Sequence, residues 1–310
     1  MPISIEKARR LEQVARMYYE QSRTQDEIAR DLKVSRPLIS RLLQEARQAG
    51  IVEIRVHSLA DGEGLLLNRA RDLFGLKGGV LLPDAADDVA GNRLLAQAAI
   101  DFIRQLGGGR VGLGWGHIIG AMVRLMEERP PEKSGLTDVC PMVGNSSISI
   151  RNYHSNENVR IVAHQTQAAP HYLHTPAFAE TFREMQLLRR TENYKDVAGQ
   201  WEKLDVALVN IGNHPSTPDF ASLARYGNLL TSRQAVGRLI AYYFDAQGEI
   251  IHSDIDYAIQ IPIRLLKKSR QVVGLCSANV NRRSLAGALR TGLLTHLIAR
   301  EELLREVIFP

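Results

Sequence analysis

Residues 24–49 read TQDEIARDLKVSRPLISRLLQEARQA, and this stretch decides how the chain begins to fold. Thr24 precedes Gln25-Asp26-Glu27, a capping-box arrangement in which the Thr hydroxyl and the Glu27 carboxylate satisfy helix N–H groups that have no partner within the helix. A short helix follows, with Ile28, Ala29 and Leu32 turned inward. Lys33-Val34 makes a tight connection. Ser35 is a good N-cap for the next helix, and Pro37 is tolerated there because a first-turn residue has no intrahelical N–H bond to lose. That helix runs to about Ala49 and stops at Gly50.

Within it, Leu38, Ile39, Leu42, Leu43 and Ala46 form an apolar stripe, leaving Arg36, Ser40, Arg41, Gln44 and Arg47 outside. Arg pairs with guanine edges or phosphates, Gln with adenine, and Ser with bases or backbone oxygens. A short helix, a tight turn and a capped second helix are the helix-turn-helix layout. Upstream, Leu11, Val14, Ala15 and Tyr18 recur at helical spacing within Ile5 to Glu20, opposite Arg9, Arg10 and Arg16. Downstream, Ile51 to Val56 alternates apolar and charged residues like the strand of a wing. A plain helical bundle with a solvated charged face is the competing reading, but cap, turn length, stripe and polar outer face all agree on the first. The expected partner is double-stranded operator DNA, contacted by Thr24, Gln25, Ser35, Arg36, Pro37, Ser40, Arg41, Gln44 and Arg47.

The bulk properties fit this beginning. A chain of 310 residues exceeds one ordinary domain, and its 45% hydrophobic and 24% charged residues suit a globular protein with a packed core. The formal charge is +5, and from Glu6 to Arg55 eleven Lys and Arg stand against eight Asp and Glu. Cys140 and Cys276 lie far apart and outside any C-x-x-C pattern, which argues for buried reduced thiols over a disulfide scaffold or zinc ribbon. No signal-peptide core and no membrane-length apolar run is present, so a cytoplasmic location without membrane attachment is expected. The organisation expected is a helix-turn-helix domain over 1–57, a Gly-containing linker over 58–64 and a larger domain over 65–310.

After the linker, apolar runs alternate with helical patterns: Val80 to Leu82, Asn92 to Leu106, Arg110 to Gly114, His117 to Glu128. Such alternation implies an α/β fold with a largely parallel, Rossmann-like sheet, to which Asp205 to Ile211 and Gln271 to Leu275 add buried strands. Ligands in such sheets sit at the carboxyl ends of strands. Two ends place glycines where backbone N–H groups can approach a ligand. Gly114-Trp115-Gly116-His117 ends a strand and opens a helix, a natural anion site, although it does not make G-x-G-x-x-G and so indicates no dinucleotide cofactor. Gly144-Asn145-Ser146 offers small hydroxyls and an amide. For each motif, glycines needed only for tight turns are the alternative. His154, His164, His171 and His174 lack a metal-ligand spacing with carboxylates or thiols, and no metal is expected.

At this point the chain resembles the SorC/DeoR-type sugar-responsive bacterial regulators. TQDEIARDLKVSRPLISRLLQEARQAGIVEIRV resembles their N-terminal domain, including the pattern SR-x-x-[IV]-SR-L-L-x-x-A. LLLNRARDLFGLKGGVLL, VGLGWGHIIGAMV, DVALVNIG, VGRLIAYYFDAQGEII and LAGALRTGLLTHLIAREELL carry the resemblance through most of the rest. It implies a C-terminal domain similar to sugar-phosphate isomerases but without enzymatic activity, which senses an effector and drives assembly into a dimer or tetramer. It also implies that Asp245, in the F-D-x-x-G position, accepts from sugar hydroxyls, where a simple turn Asp is the alternative. Gly212 and Asn213 fall in the family's G-I-G turn, with Asn210 where Gly is usual. Asn281 aligns with a usual Lys, whose charge Arg282 or Arg283 could replace. Val143 stands where an Arg is common, and Ala299-Arg300-Glu301 where T-D-E is. These departures leave the effector as a sugar, a polyol or a differently held sugar phosphate. The expected effector set is Gly114, Trp115, Gly116, His117, Gly144, Asn145, Ser146, Gly212, Asn213, Asp245, Asn281 and Arg282. The alternative is a sugar-phosphate isomerase or deaminase using Asp245 with His117 and carrying an appended DNA-binding segment.

Overall fold

A computed structural model describes residues 5–19, 21, 23–49, 51–52, 59–216 and 222–309, with the backbone alone at 5, 6, 8, 47, 48 and 59–63. The chain divides into two compact units, Met1–Asp61 and Gly62–Pro310.

In the first unit, α1 (Ile5–Tyr19), α2 (Gln25–Asp31) and α3 (Arg36–Gln48) pool their apolar stripes. Leu11, Val14 and Ala15 meet Ile28 and Ala29 and the α3 residues Ile39, Leu42, Leu43 and Ala46 in one core. Ile28, Ile39 and Leu43 are essentially inaccessible, and each such side chain contributes about 1.5–3 kcal/mol of burial. The turn between α2 and α3 closes through the Val34 amide, which donates to the Ala29 carbonyl at 2.9 Å, and it holds Lys33 at φ +52°. After α3, the amides of Ile51 and Val52 both return to the Ala46 carbonyl, at 3.0 and 3.2 Å. The rest of the expected wing strand, residues 53–56, lies outside the described residues.

The stretch read as linker contains the boundary between the two units and is helical from residue 59 onward, within α4 (Leu59–Phe74). Gly62 and Gly64 suggested a linker because each costs about 1 kcal/mol relative to Ala in a helix interior, and here the longer helix overrides them. Ser58 lies outside the described residues.

The elements that follow are β1 (Gly78–Leu82), α5 (Asp88–Gln105), β2 (Gly109–Leu113), α6 (His117–Glu127), β3 (Leu136–Pro141), α7 (Ser155–Thr166), β4 (Ala169–Pro170), α8 (Phe182–Arg189) and α9 (Glu192–Trp201). Beyond them come β5 (Val206–Asn213), α10 (Ser222–Tyr226), α11 (Leu229–Ser232), β6 (Gly237–Leu239), β7 (Tyr242–Phe244), α12 (Ile263–Leu266), β8 (Gln271–Cys276), α13 (Arg282–Arg290), β9 (His296–Arg300) and α14 (Glu301–Ile308).

The strands form a sheet in the order β1-β9-β8-β5-β2-β3-β4, parallel throughout, and β6 and β7 extend the far end of β5 as antiparallel strands. Both faces are buried, and the period of two shows it. Ala207, Val209 and Ile211 of β5 point into one apolar cluster, while Val206 and Leu208 point into the other. Cys140 and Cys276 are free, buried thiols on the sheet, and burial pushes Cys276 up to about 12, so it stays protonated. The chain leaves β2 toward β3 on one side and leaves β5 toward β8 on the other. The crevice between the carboxyl ends of β2 and β5 is therefore a topological switch point.

Candidate functional site

Helix α3 and the turn before it are set up from Thr24 upward. Its backbone N–H donates to Glu27 Oε2 at 2.8 Å, and its hydroxyl accepts from the Glu27 amide at 3.3 Å, closing the capping box. The backbone hydrogen bond from Thr24 leads the causes that hold the Glu27 carboxyl below its usual range. Leu38 and Ile39 both donate their amides to the Ser35 carbonyl, which places Ser35 at the head of α3 and Pro37 in its first turn. With the stripe of α3 packed inward, Arg36, Pro37, Ser40, Arg41 and Gln44 are exposed; Thr24 is exposed too, and Gln25 is half-buried at the start of α2. The Arg47 side chain lies outside the described residues.

Charge concentrates beside this face. Lys7, Arg9, Arg10 and Arg41 line a groove of about 640 Å³ between α1 and α3. Glu45 lies between Lys7 at 2.9 Å and Arg41 at 3.6 Å, and the Lys7 hydrogen bond is first among the causes that lower its carboxyl. One carboxylate against four cations leaves the groove positive, as a phosphate-facing surface requires.

In the second unit the sheet brings most of the expected effector residues to one edge. Gly114 to His117 follow β2, Gly144 to Ser146 follow β3, Gly212 and Asn213 end β5, and Asn281 and Arg282 follow β8. Their side chains are used differently from one another. Trp115 is buried, and its indole N–H donates to the Ile240 carbonyl at 3.1 Å, so the ring is core. Gly116 caps α6 without a side chain, at φ +124°, pressed against Asn210. Asn210 Oδ1 accepts from the Ile118 amide at 3.2 Å. His117 is exposed, and its Nδ1 lies 3.3 Å from Asn152 Nδ2, which also fixes it as the accepting nitrogen. Asn152 in turn accepts from Arg124 at 2.7 Å.

Gly144 is glycine for a packing reason: a Cβ there would lie 2.3 Å from the Pro176 carbonyl oxygen. Both ends of the Asn145 carboxamide are used, its Nδ2 donating to the Leu173 carbonyl at 3.0 Å and its Oδ1 accepting from the Asn156 amide at 3.2 Å. Ser146 Oγ accepts from the Ile148 amide. Asn145, Ser146 and Ile148 form one wall of an open cleft of about 910 Å³, faced by Phe178, Tyr257 and Arg225. Asn281 is the N-cap of α13, accepting from the Ser284 amide at 2.9 Å, and Arg282 is exposed beside it.

Asp245 stands apart. Its Oδ1 accepts from the amides of Gln247 and Glu249, both at 2.9 Å, closing the turn after β7, and its carbonyl lies against Gly287 in the middle of α13. Sequence reasoning passed over Asn152 and Arg238, and it named Asn210 only as a departure from the family's turn. Arg238 was the readable one, a charged residue inside the otherwise apolar run Ala235 to Ala241. Among the histidines, His171 Nε2 lies 2.9 Å from Asp138 Oδ1, and no cluster of three metal-ligating side chains occurs among the described residues. No described helix is long and apolar enough to cross a membrane.

Comparison with known proteins agrees with this layout. Residues 64–308 match the family described as "Putative sugar-binding domain". The chain is 26% identical to the sorbitol operon regulator of Klebsiella pneumoniae over 307 residues, covering 93% of this chain and 94% of that protein. It is 26% identical to the deoxyribonucleoside regulator of Bacillus subtilis over 306 residues, covering 96% of each. The crystal structure of the full-length sorbitol operon regulator SorC superposes with a TM-score of 0.73 at 25% identity, over 98% of this chain and 99% of that one. Both relatives are regulators by name. With a capped helix-turn-helix at its head and the family match over the remaining α/β unit, this chain belongs to the sugar-binding-domain family of SorC/DeoR-type transcriptional regulators.

Proposed function

We propose that this regulator controls a carbohydrate or polyol utilisation operon. Residues 1–57 act as the DNA-binding domain, and residues 65–310 bind the effector and hold the protomers together. The exposed row Arg36, Ser40, Arg41 and Gln44 on a helix whose other face packs into the core carries the DNA half of this reading. A helix of this shape fits the major groove, and helix-turn-helix proteins read two half-sites as dimers, so a dimer or tetramer in the cytoplasm is the working form. The effector, a sugar, polyol or sugar phosphate, binds at the carboxyl edge of the sheet. It changes operator affinity by the difference in its own affinity for two states of the protein.

The test is fluorescence anisotropy of the full-length protein on DNA from upstream of its own gene, with and without a panel of these compounds. A compound that shifts operator affinity and is recovered unchanged supports the reading. Sequence-indifferent binding, or turnover of the compound, overturns it.

A further inference from the structure

We propose that α1 is a second DNA-contacting element. Its groove with α3 seats one strand of the phosphate backbone beside the reading face. There Arg9 and Arg10 meet phosphates, and one phosphate takes the place between Lys7 and Arg41 that the Glu45 carboxylate holds in the free protein. The proposal rests on the DNA reading above and adds α1 and Glu45, which that reading leaves out.

The first observation is place. A helix about 10–12 Å across fills a major groove about 12 Å wide, so its flanks lie against the sugar-phosphate walls. When Arg36, Ser40 and Gln44 face the bases, the flanks of α3 are therefore beside phosphates. Arg41 belongs to the exposed row of α3 and also lines the groove toward α1, with Leu38, Leu42 and Glu45. Lys7, Arg9, Arg10 and Gln13 face them from α1. The groove thus adjoins the reading row on a side where a backbone strand runs.

The second is charge. Arg9 and Arg10 are exposed, and neither has an ion-pair partner among the described residues. Glu12, also on α1, pairs with Arg16 at 3.3 Å and does not line the groove. The third is Glu45, which marks an oxyanion position. Lys7 from α1 at 2.9 Å and Arg41 from α3 at 3.6 Å converge on its carboxylate. A carboxylate and a phosphodiester each present one negative charge on two oxygens, so a pair of cations that holds the first can hold the second. Both cations are more than half exposed, and a phosphate arriving from solvent reaches them. Left in place, the carboxylate repels the backbone; displaced, it frees two cations for it. An acidic protein surface carries the same charge, but Arg41 joins the groove to Arg36, Ser40 and Gln44, residue types that read bases, and this favours DNA.

The test is fluorescence anisotropy of the full-length protein on a labelled mixed-sequence DNA duplex across a salt series, which depends on no particular operator. Wild type is compared with Arg9→Gln, Arg10→Gln, Glu45→Gln and Glu12→Gln, and thermal midpoints confirm that each folds. Arg9→Gln and Arg10→Gln are each expected to lower the slope of log affinity against log salt by about one. Glu45→Gln is expected to tighten binding about two- to fivefold at low salt, the reach of one exposed charge pair. Glu12→Gln makes the same change of net charge outside the groove and is expected to leave affinity nearly as it was. The arginine variants and Glu45→Gln probe the groove independently, so misfolding of one leaves the other decisive. A slope that neither arginine variant changes, or equal effects of Glu45→Gln and Glu12→Gln, overturns the inference and leaves the groove to an acidic protein partner. Wild-type binding of the duplex beside either result keeps the DNA reading standing. If wild type binds no duplex even at low salt, both fall.

Discussion

The Asn213 carboxamide joins two loops of the sheet's carboxyl edge: its Oδ1 accepts from the Asn281 amide at 3.1 Å, and its Nδ2 donates to the Asn279 carbonyl at 2.9 Å. One side chain at the end of β5 thereby anchors the loop after β8 and sets Asn281 in position to cap α13. Replacing it by Ala removes both bonds. Asn213→Ala is expected to destabilise the protein by about 1–2 kcal/mol, read as a lower urea midpoint with an unchanged m-value. If Asn213 served the effector alone, effector affinity would fall and the midpoint would stay where it is.

Lys33 offers a gain in stability. At φ +52° it occupies the left-handed region, which costs a side-chain-bearing residue about 1–2 kcal/mol and a glycine little. The extra backbone freedom that glycine adds to the unfolded chain offsets part of this. Lys33→Gly is therefore expected to stabilise the helix-turn-helix by up to about 1 kcal/mol. Slower amide exchange in α2 and α3 of the full-length protein would show it, and faster exchange would contradict it.

What could be read from the sequence follows from how local the cause is. The α2–α3 pair was legible because its signals lie within a few residues of one another: the Thr24–Glu27 box, the Pro37 position and the stripe from Leu38 to Ala46. Strands β1, β2, β5 and β8 were legible because a doubly buried parallel strand is a run of apolar residues whatever its neighbours. The structural bonds of Asn145, Asn213 and Asn281 were not legible, because their partners, such as Leu173 and Asn156 for Asn145, are supplied by other loops that only the fold brings near.

Asp138 should make stability depend on acid. Burial raises its pKa, but hydrogen bonds from His171 and Thr137 and the charge of Arg110 outweigh this and hold the carboxyl below its ordinary value. A carboxylate lowered in the folded state stabilises it above the unfolded-state pKa, about 3.9, and that contribution is lost as pH falls through the lower folded value. Urea unfolding of wild type and Asp138→Asn at a series of pH values measures this. The advantage of wild type is expected to be steady from pH 7 down to about 5, and to shrink below about 4. An advantage that persisted undiminished at about pH 2 would mean that the ionised carboxylate is not its source.

On α3, Arg36 and Arg41 are both exposed cations, but they stand in different surroundings. Arg36 opens the helix beside the turn, 3.7 Å from Asp26, whereas Arg41 borders the basic groove with Lys7, Arg9 and Arg10. A residue in a groove of cations is suited to phosphate, and one at the amino end of a reading helix to base edges. Arg36→Ala is therefore expected to weaken specific operator binding by about 1–3 kcal/mol, roughly ten- to a hundredfold, and to relax preference at one base position. Arg41→Ala should weaken operator and unrelated DNA alike, and lower the slope of log affinity against log salt by about one. Anisotropy titrations on both DNAs across a salt series separate the two. The opposite pattern, with Arg41→Ala relaxing specificity and Arg36→Ala lowering only the salt slope, would mean that α3 enters the groove turned toward α1 rather than by its amino end.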